Sequence, residues 1–258
     1  MILVGLIKKL LAFIQPIAIA SFLGIMIMVF RTIKFSDNIY KIVFGFILLV
    51  FLISINSTLV INMPVFYSFE FDKNNIPETT QIPKEELNKA SKIIREYFAN
   101  EEKYLKLEVY QNGVLRSIYS EKEISHMRDV KTLIKGLYVL STISLTLILT
   151  TIIWGIAIKK SRFIAVLLKL LSSSAKYILI TAIILGIVSI LAFEQVFLIF
   201  HEISFANDLW MLDPSKDYLI MMFPQTFFLE ATLLIGLFTL IECLILICLP
   251  IYTKRKFS

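Results

Sequence analysis

FHEISFANDLWMLDPSKDYLIMMFPQTFF, residues Phe200 to Phe228, lies between two long apolar runs, and its reading decides the fold. It holds His201, one of only two histidines, together with Glu202, Asn207, Asp208, Asp213, Asp217, Trp210 and a crowd of phenylalanines. Aromatic side chains concentrate where hydrocarbon meets water, so this composition suits a segment at one face of a bilayer.

The rest of the chain agrees. It has 258 residues, is 57% hydrophobic and has a mean hydropathy of +0.79, which places it among integral membrane proteins. The net charge is +6, but the basic excess sits in short loops, where it fixes topology, and not in a patch that would bind nucleic acid. Cys243 and Cys248 both fall inside the last apolar run, which argues against a disulfide framework and against cysteine-ligated zinc. Lys8 and Lys9 precede an apolar run with no convincing A-x-A cleavage site, so the N-terminal segment is expected to be retained.

Five runs are long enough to span: Leu10 to Phe30, interrupted by Gln15 and Pro16, then Ile42 to Ile61, Gly136 to Ile158, Tyr177 to Phe200 and Phe227 to Pro250. The chain divides accordingly into an N-terminal apolar segment (1–39), a spanning helix (40–62), a polar section whose charges nearly cancel (63–135) and a bundle (136–258) that carries residues 200–228 as an interfacial loop. Lys159, Lys160, Arg162, Lys169 and Lys176 form the densest basic loop, and a Lys254, Arg255, Lys256 tail follows the last run. The positive-inside rule puts both in the cytoplasm, so the 63–135 section becomes an extracellular cap on the same side as the 200–228 loop. This leaves Lys8 and Lys9 outside, so the first run either spans against a weak rule or lies in the inner leaflet.

In the cap, Leu87, Ala90, Ile94 and Tyr97 keep helical spacing along Lys84 to Tyr97. Leu105 to Val109 and Val114 to Tyr119 read as a hairpin turning on Asn112-Gly113. Ser120 and Glu123 form a capping box that opens a helix running on into the third span. Asp213-Pro214 reads as a cap followed by a short helix through Asp217 and Ile220.

His126 then stands two to three turns, roughly 10–15 Å, above the start of the third span, at a depth similar to His201. Two such imidazoles are a candidate acid–base pair, because they exchange protons near neutrality. The alternative is that each is a packed or interfacial histidine bonded to a carboxylate. If the fourth helix continues that far, Glu194 lies about two turns below His201 on the same face, and an ionisable group at that depth is itself a functional candidate with His201 as its expected partner. Glu202, Asp129 or Asp208 could complete a zinc site, but no HExxH-like spacing occurs. There is no Walker loop and no G-x-S-x-G elbow, and Ser125 diverges from His126 on a helix. Trp210, Phe200, Phe205, Phe223, Phe227 and Phe228 suit an interfacial belt or the wall of a confined pocket, and the two are compatible. Asp213 and Asp217 suit caps and hydrogen-bond anchors.

EISHMRDVKTLI, Glu123 to Ile134, and the Phe200 to Phe228 stretch resemble the two signature regions of the lipoprotein intramolecular transacylase family of bacterial membrane proteins. MPVFYSFEFDKNNIPETTQIPKEEL, Met63 to Leu87, is similar to that family as well, so the match extends from about Tyr40 to the C-terminus. The resemblance implies a mostly α fold: a polytopic bundle of four core transmembrane helices under a small α+β extracellular cap, to which residues 1–39 add an extra apolar helix. It implies a cell-membrane acyltransferase that moves the sn-2 acyl chain of a lipoprotein's diacylglyceryl-cysteine to the α-amino group of that cysteine, giving the lyso-form. Diacylglyceryl-modified lipoproteins and membrane lipid are the partners, and no cofactor, metal or nucleic acid is called for.

The family's two catalytic histidines carry over to His126 in HMRDV and His201 in FHEISF. The expected substrate-contacting set is Tyr67, Asp129, Phe200, Phe205, Asn207, Trp210, Asp213 and Phe223, and Asn207, a backbone N–H or a protonated imidazole could stabilise the oxyanion. The rivals are a non-enzymatic membrane sensor or binding protein with an extracellular cap, and a metal-dependent membrane hydrolase.

Overall fold

The computed structural model describes residues 38–256, so the first expected span, Leu10 to Phe30, lies outside the described residues. In chain order the elements are α1 (Asn38–Ile61), α2 (Pro64–Lys73), α3 (Ile76–Thr80), α4 (Lys84–Ala99), β1 (Glu108–Gln111), β2 (Val114–Ser117), α5 (Glu121–Lys159), α6 (Arg162–Ser204), α7 (Tyr218–Met222) and α8 (Gln225–Lys256). Four of them are long and apolar enough to cross a membrane: α1, α5, α6 and the Gln225–Pro250 portion of α8. Their outer faces leave large aliphatic side chains uncovered, Leu191 at 79% and Ile190 at 63% exposure among them, as expected where lipid is the solvent.

Lipid tails are as apolar as leucine, so the spanning helices are joined by close approach and by polar side chains rather than by hydrophobic burial alone. At Gly155 a Cβ would sit 2.1 Å from the Phe163 ring, so only glycine lets the α5–α6 hairpin close over that phenyl group. Asn56 of α1 donates to Thr239 Oγ1 at 3.1 Å and Glu242 Oε2 at 2.8 Å on α8. The Ser141 hydroxyl of α5 donates to Ser54 Oγ on α1 at 3.0 Å.

The cap follows its sequence pattern closely. Leu87, Ala90, Ile94 and Tyr97 of α4 are all at most 2% exposed and pack against Phe71, Ile76, Ile82 and Val109; burying a side chain such as Leu87 stabilises by about 1.5–3 kcal/mol. The hairpin is shorter than expected. β1 and β2 pair antiparallel from Glu108↔Ser117 to Gln111↔Val114, and the turn has Asn112 at φ 52° and Gly113 at φ 79°, the left-handed pair that suits the twist of a two-residue hairpin. Ser120 and Glu123 form the expected capping box, and α5 runs without a break from the cap into the apolar run.

Two expectations change. The basic stretch from Lys159 to Lys176 is not a loop: the chain turns at Lys160 and Ser161 and α6 is helical from Arg162, so Lys169 and Lys176 are helical residues. Leucine and isoleucine supply the helical pattern there, and isolated lysines do not interrupt it. Asp213 does not open a helix through Asp217. Its Oδ1 accepts from the backbone N–H and hydroxyl of Ser215 at 2.9 and 2.6 Å, which favours a side-chain-stabilised turn, and α7 starts only at Tyr218.

Candidate active site

The two histidines arrive from opposite ends of long helices. His126 lies in the second turn of α5 and is 6% exposed; His201 lies in the last turn of α6 and is 8% exposed. Their ring centroids are 6.2 Å apart with the planes tilted by 31°. Phe205, the residue after α6, touches both, at 5.0 Å from His126 and 5.6 Å from His201. Trp210 lies 5.0 Å from His201 and Phe200 stands edge-on to it at 5.3 Å. The result is a pair of imidazoles inside an aromatic enclosure at the end of the spanning helices.

The ring nitrogens differ in what they meet. His201 Nδ1 lies 2.7 Å from the Phe197 carbonyl oxygen, so it donates there and leaves Nε2 as the nitrogen able to take up a proton. Glu194, expected as its partner, is exposed. His126 Nδ1 is buried and meets no hydrogen-bonding group. Burial, helped by the adjoining His201, pushes the His126 imidazole down to about 4. It is therefore neutral at physiological pH and well ahead of the apolar part of α5 that begins at Gly136.

At the rim, Asn207 Nδ2 donates to Asp129 Oδ2 at 2.9 Å and Asn207 Oδ1 accepts the Leu209 N–H at 3.0 Å, while Arg128 pairs with Asp129 at 3.3 Å. One amide hydrogen of Asn207 is thus engaged in holding the 205–217 loop against α5. Asp213 is occupied by its own turn and by Lys216. Tyr67 and Phe223 meet edge-on at 6.1 Å in the cap core, with the Tyr67 hydroxyl donating to the Ile61 carbonyl at 2.8 Å. They connect to His201 through a chain of rings: Tyr67–Phe227 at 5.4 Å, Phe227–Phe228 at 5.4 Å, Phe228–Phe197 at 5.1 Å and Phe197–His201 at 4.3 Å.

The family model for the lipoprotein intramolecular transacylase Lit matches residues 42–228, a span that includes both histidines and the whole cap. The chain belongs to that family. The Lit fold is seen directly in the solved structure of the membrane-integral transacylase Lit from Bacillus cereus, which is 24% identical and superposes with a TM-score of 0.71 over 86% of this chain and 98% of that one. Two forms of the Bacillus cereus protein, one with a histidine-to-alanine and one with a histidine-to-arginine substitution, each give 0.67 at 23% identity, covering 86% and 91% of this chain and 96% and 100% of theirs. A comparison with curated protein sequences gives no match. As a Lit family member the chain is a membrane-integral acyltransferase, a lipoprotein intramolecular transacylase.

Among the described residues of this Lit protein, no group of three or more His, Cys, Asp or Glu side chains is gathered as a metal site. Sequence reading missed Phe197, whose ring and carbonyl both hold His201. The signal was present: Phe193, Phe197 and His201 recur at intervals of four, which stacks them on one helix face, and Phe205 follows after the same interval as the first residue past α6. Phe193 and Phe197 do stack, at 5.7 Å.

Proposed function

We propose that His126 and His201 jointly catalyse transfer of the sn-2 acyl chain of a diacylglyceryl-modified lipoprotein to the α-amino group of its N-terminal cysteine, on the extracellular side of the cell membrane. The observation that carries this reading is the meeting of two buried imidazoles, 6.2 Å apart, within an aromatic enclosure at the end of four apolar helices.

The chemistry balances within one substrate molecule. The amine nitrogen attacks the ester carbonyl carbon and loses a proton; the C–O bond to glycerol then breaks and the leaving oxygen gains a proton, so an ester becomes an amide and a free hydroxyl. The conversion runs downhill and needs no nucleotide. Holding amine and ester in one chamber supplies much of the rate through proximity. The α-amino group, with an ordinary pKa of about 7.7–8.0, needs a base to remove its proton, and the alkoxide needs an acid. His201, through Nε2, and the His126 imidazole, whose buried Nδ1 no other group engages, share these proton transfers. Phe200, Phe205 and Trp210 keep out the water that would otherwise hydrolyse the ester. Asp129 and Asn207 shape the rim, and Asp213, Phe223 and Tyr67 support the loop and the cap behind the aromatic wall.

Expression in a bacterium whose lipoproteins are only diacylated tests the reading. Mass spectrometry of the lipoprotein N-terminal peptides should reveal the N-acyl, monoacylglyceryl form. Unchanged lipopeptides in the presence of folded protein would reject it.

A further inference from the structure

Glu123 is one of the few fully buried acidic side chains, at 1% exposure, and it lies three residues before His126 on the same face of α5. Burying a carboxylate is costly unless its oxygens are bonded. Both are, and both by main-chain donors. Oε2 accepts the Ser120 N–H at 2.7 Å, which completes the capping box of α5. Oε1 accepts the Leu219 N–H at 2.7 Å, far away in sequence, in the first turn of α7.

The second bond is not part of any capping box. The N-cap residue of α7, Asp217, uses its carboxylate on the Asp213 N–H and leaves the helix without a side-chain cap of its own. Glu123 supplies what Asp217 withholds, so one carboxylate closes the N-termini of two helices. The segment it fixes is the end of the 205–217 loop, the loop that puts Phe205 between the two histidines and Trp210 against His201. Two more groups near the start of α5 hold the middle of that loop: Lys122 Nζ, in the first turn, donates to the Met211 carbonyl, and Asp129, in the third, accepts from Asn207. Both are nearer the surface, and Glu123 is the buried point of attachment.

We propose that Glu123 is a positioning residue of the transacylase: by tying the first turn of α5 to α7 it sets the spacing of His126 from the Phe205–Trp210 loop and hence from His201. This rests on the acyl-transfer reading above, and the experiment separates the two. Purified full-length protein in detergent micelles is assayed with a diacylglyceryl lipopeptide for kcat and KM, alongside its melting temperature. The wild-type arm reports on the reaction; the variants report on Glu123. Glu123→Gln turns one oxygen into a donor that opposes an N–H, and should lower kcat at least tenfold with KM changed less than twofold. Ser120→Ala weakens the α5 cap without touching the α7 bond, and should lower the melting temperature while kcat stays within twofold.

A Glu123→Gln enzyme with kcat within twofold of wild type, or a loss of kcat in both variants that merely tracks their melting temperatures, overturns the inference. If Glu123→Gln does not fold, Glu123→Asp keeps the charge but draws the carboxylate back from the Leu219 N–H, and a tenfold loss of kcat is expected there too. Normal kcat in Glu123→Asp, or failure of both variants to fold, makes Glu123 a folding residue only and also overturns the proposal.

Discussion

His126 and Lys131 sit on the same helix, close in sequence and equally buried at 6% exposure, yet their nitrogens meet opposite fates. Lys131 Nζ donates to Asn100 Oδ1 and to the Glu102 carbonyl, each at 2.7 Å, and stands 4.0 Å over the Tyr97 ring. His126 Nδ1 faces rings and no hydrogen-bonding group. A buried polar group whose partners are all present anchors a fold, while one left without a partner costs about 1–3 kcal/mol. That cost is tolerable where a reacting group supplies the missing partner. The difference teaches that burial by itself does not separate structural from chemical residues; the partner list does.

The sharpest way to break this contrast is to delete each side chain. His126→Ala and His201→Ala should each lower the rate of lipopeptide conversion by about 10²–10⁴-fold, measured by mass spectrometry, with the melting temperature nearly unchanged. Lys131→Ala should do the reverse, leaving kcat within a few-fold while costing about 2–3 kcal/mol of stability from two lost charge-assisted bonds. If the lysine variant loses activity and the histidine variants lose only stability, the assignment is inverted.

A smaller effect is expected from the enclosure. Trp210→Ala should lower conversion about tenfold and release free fatty acid, because water then competes with the amine; loss of rate with no hydrolysis would leave the rings a packing role. Smaller again, Asn207→Ala should reduce conversion a few-fold, since it loses the 2.9 Å bond to Asp129 but leaves Lys122 and Glu123 holding the loop.

The pH dependence sharpens the same comparison. The His126 imidazole is held at about 4 in the folded protein against an ordinary 6.5, so between these values the unfolded chain binds more protons. Stability is therefore full above pH 6.5 and declines as the pH falls toward 4. Melting curves in detergent should drop across that window, and His126→Leu should flatten the drop. An unchanged slope would mean that the acid sensitivity lies elsewhere.

Much of this was legible before any coordinates. Hydrophobic runs announce the membrane helices because a long continuous apolar segment satisfies its own backbone in lipid only as a helix. Leu87, Ala90, Ile94 and Tyr97 reveal α4 by their period, and Asn112-Gly113 reveals the hairpin because its two residues accept left-handed φ. The start of α6 at Arg162 was hidden, because isolated lysines read as a loop although the aliphatic residues between them sustain a helix. The place of Tyr67 and Phe223 in the cap core is not legible in the sequence, because it depends on Tyr67 meeting Phe227 and Phe71 meeting Phe223, contacts between remote parts of the chain.

Composition, hydrophobic period and local turn chemistry act over a few residues, and so the amino-acid sequence determined the membrane class, the four described spanning helices, the cap's α4 and hairpin, and the identity of the two histidines. The 6.2 Å separation of their rings, the buried, unpartnered Nδ1 of His126, the Phe197 carbonyl behind His201 and the reach of Glu123 to α7 were decided only by tertiary structure. Each of these joins groups remote in the sequence or depends on which neighbours are missing, and distances across a fold depend on how helices pack, not on the order in which their residues are linked.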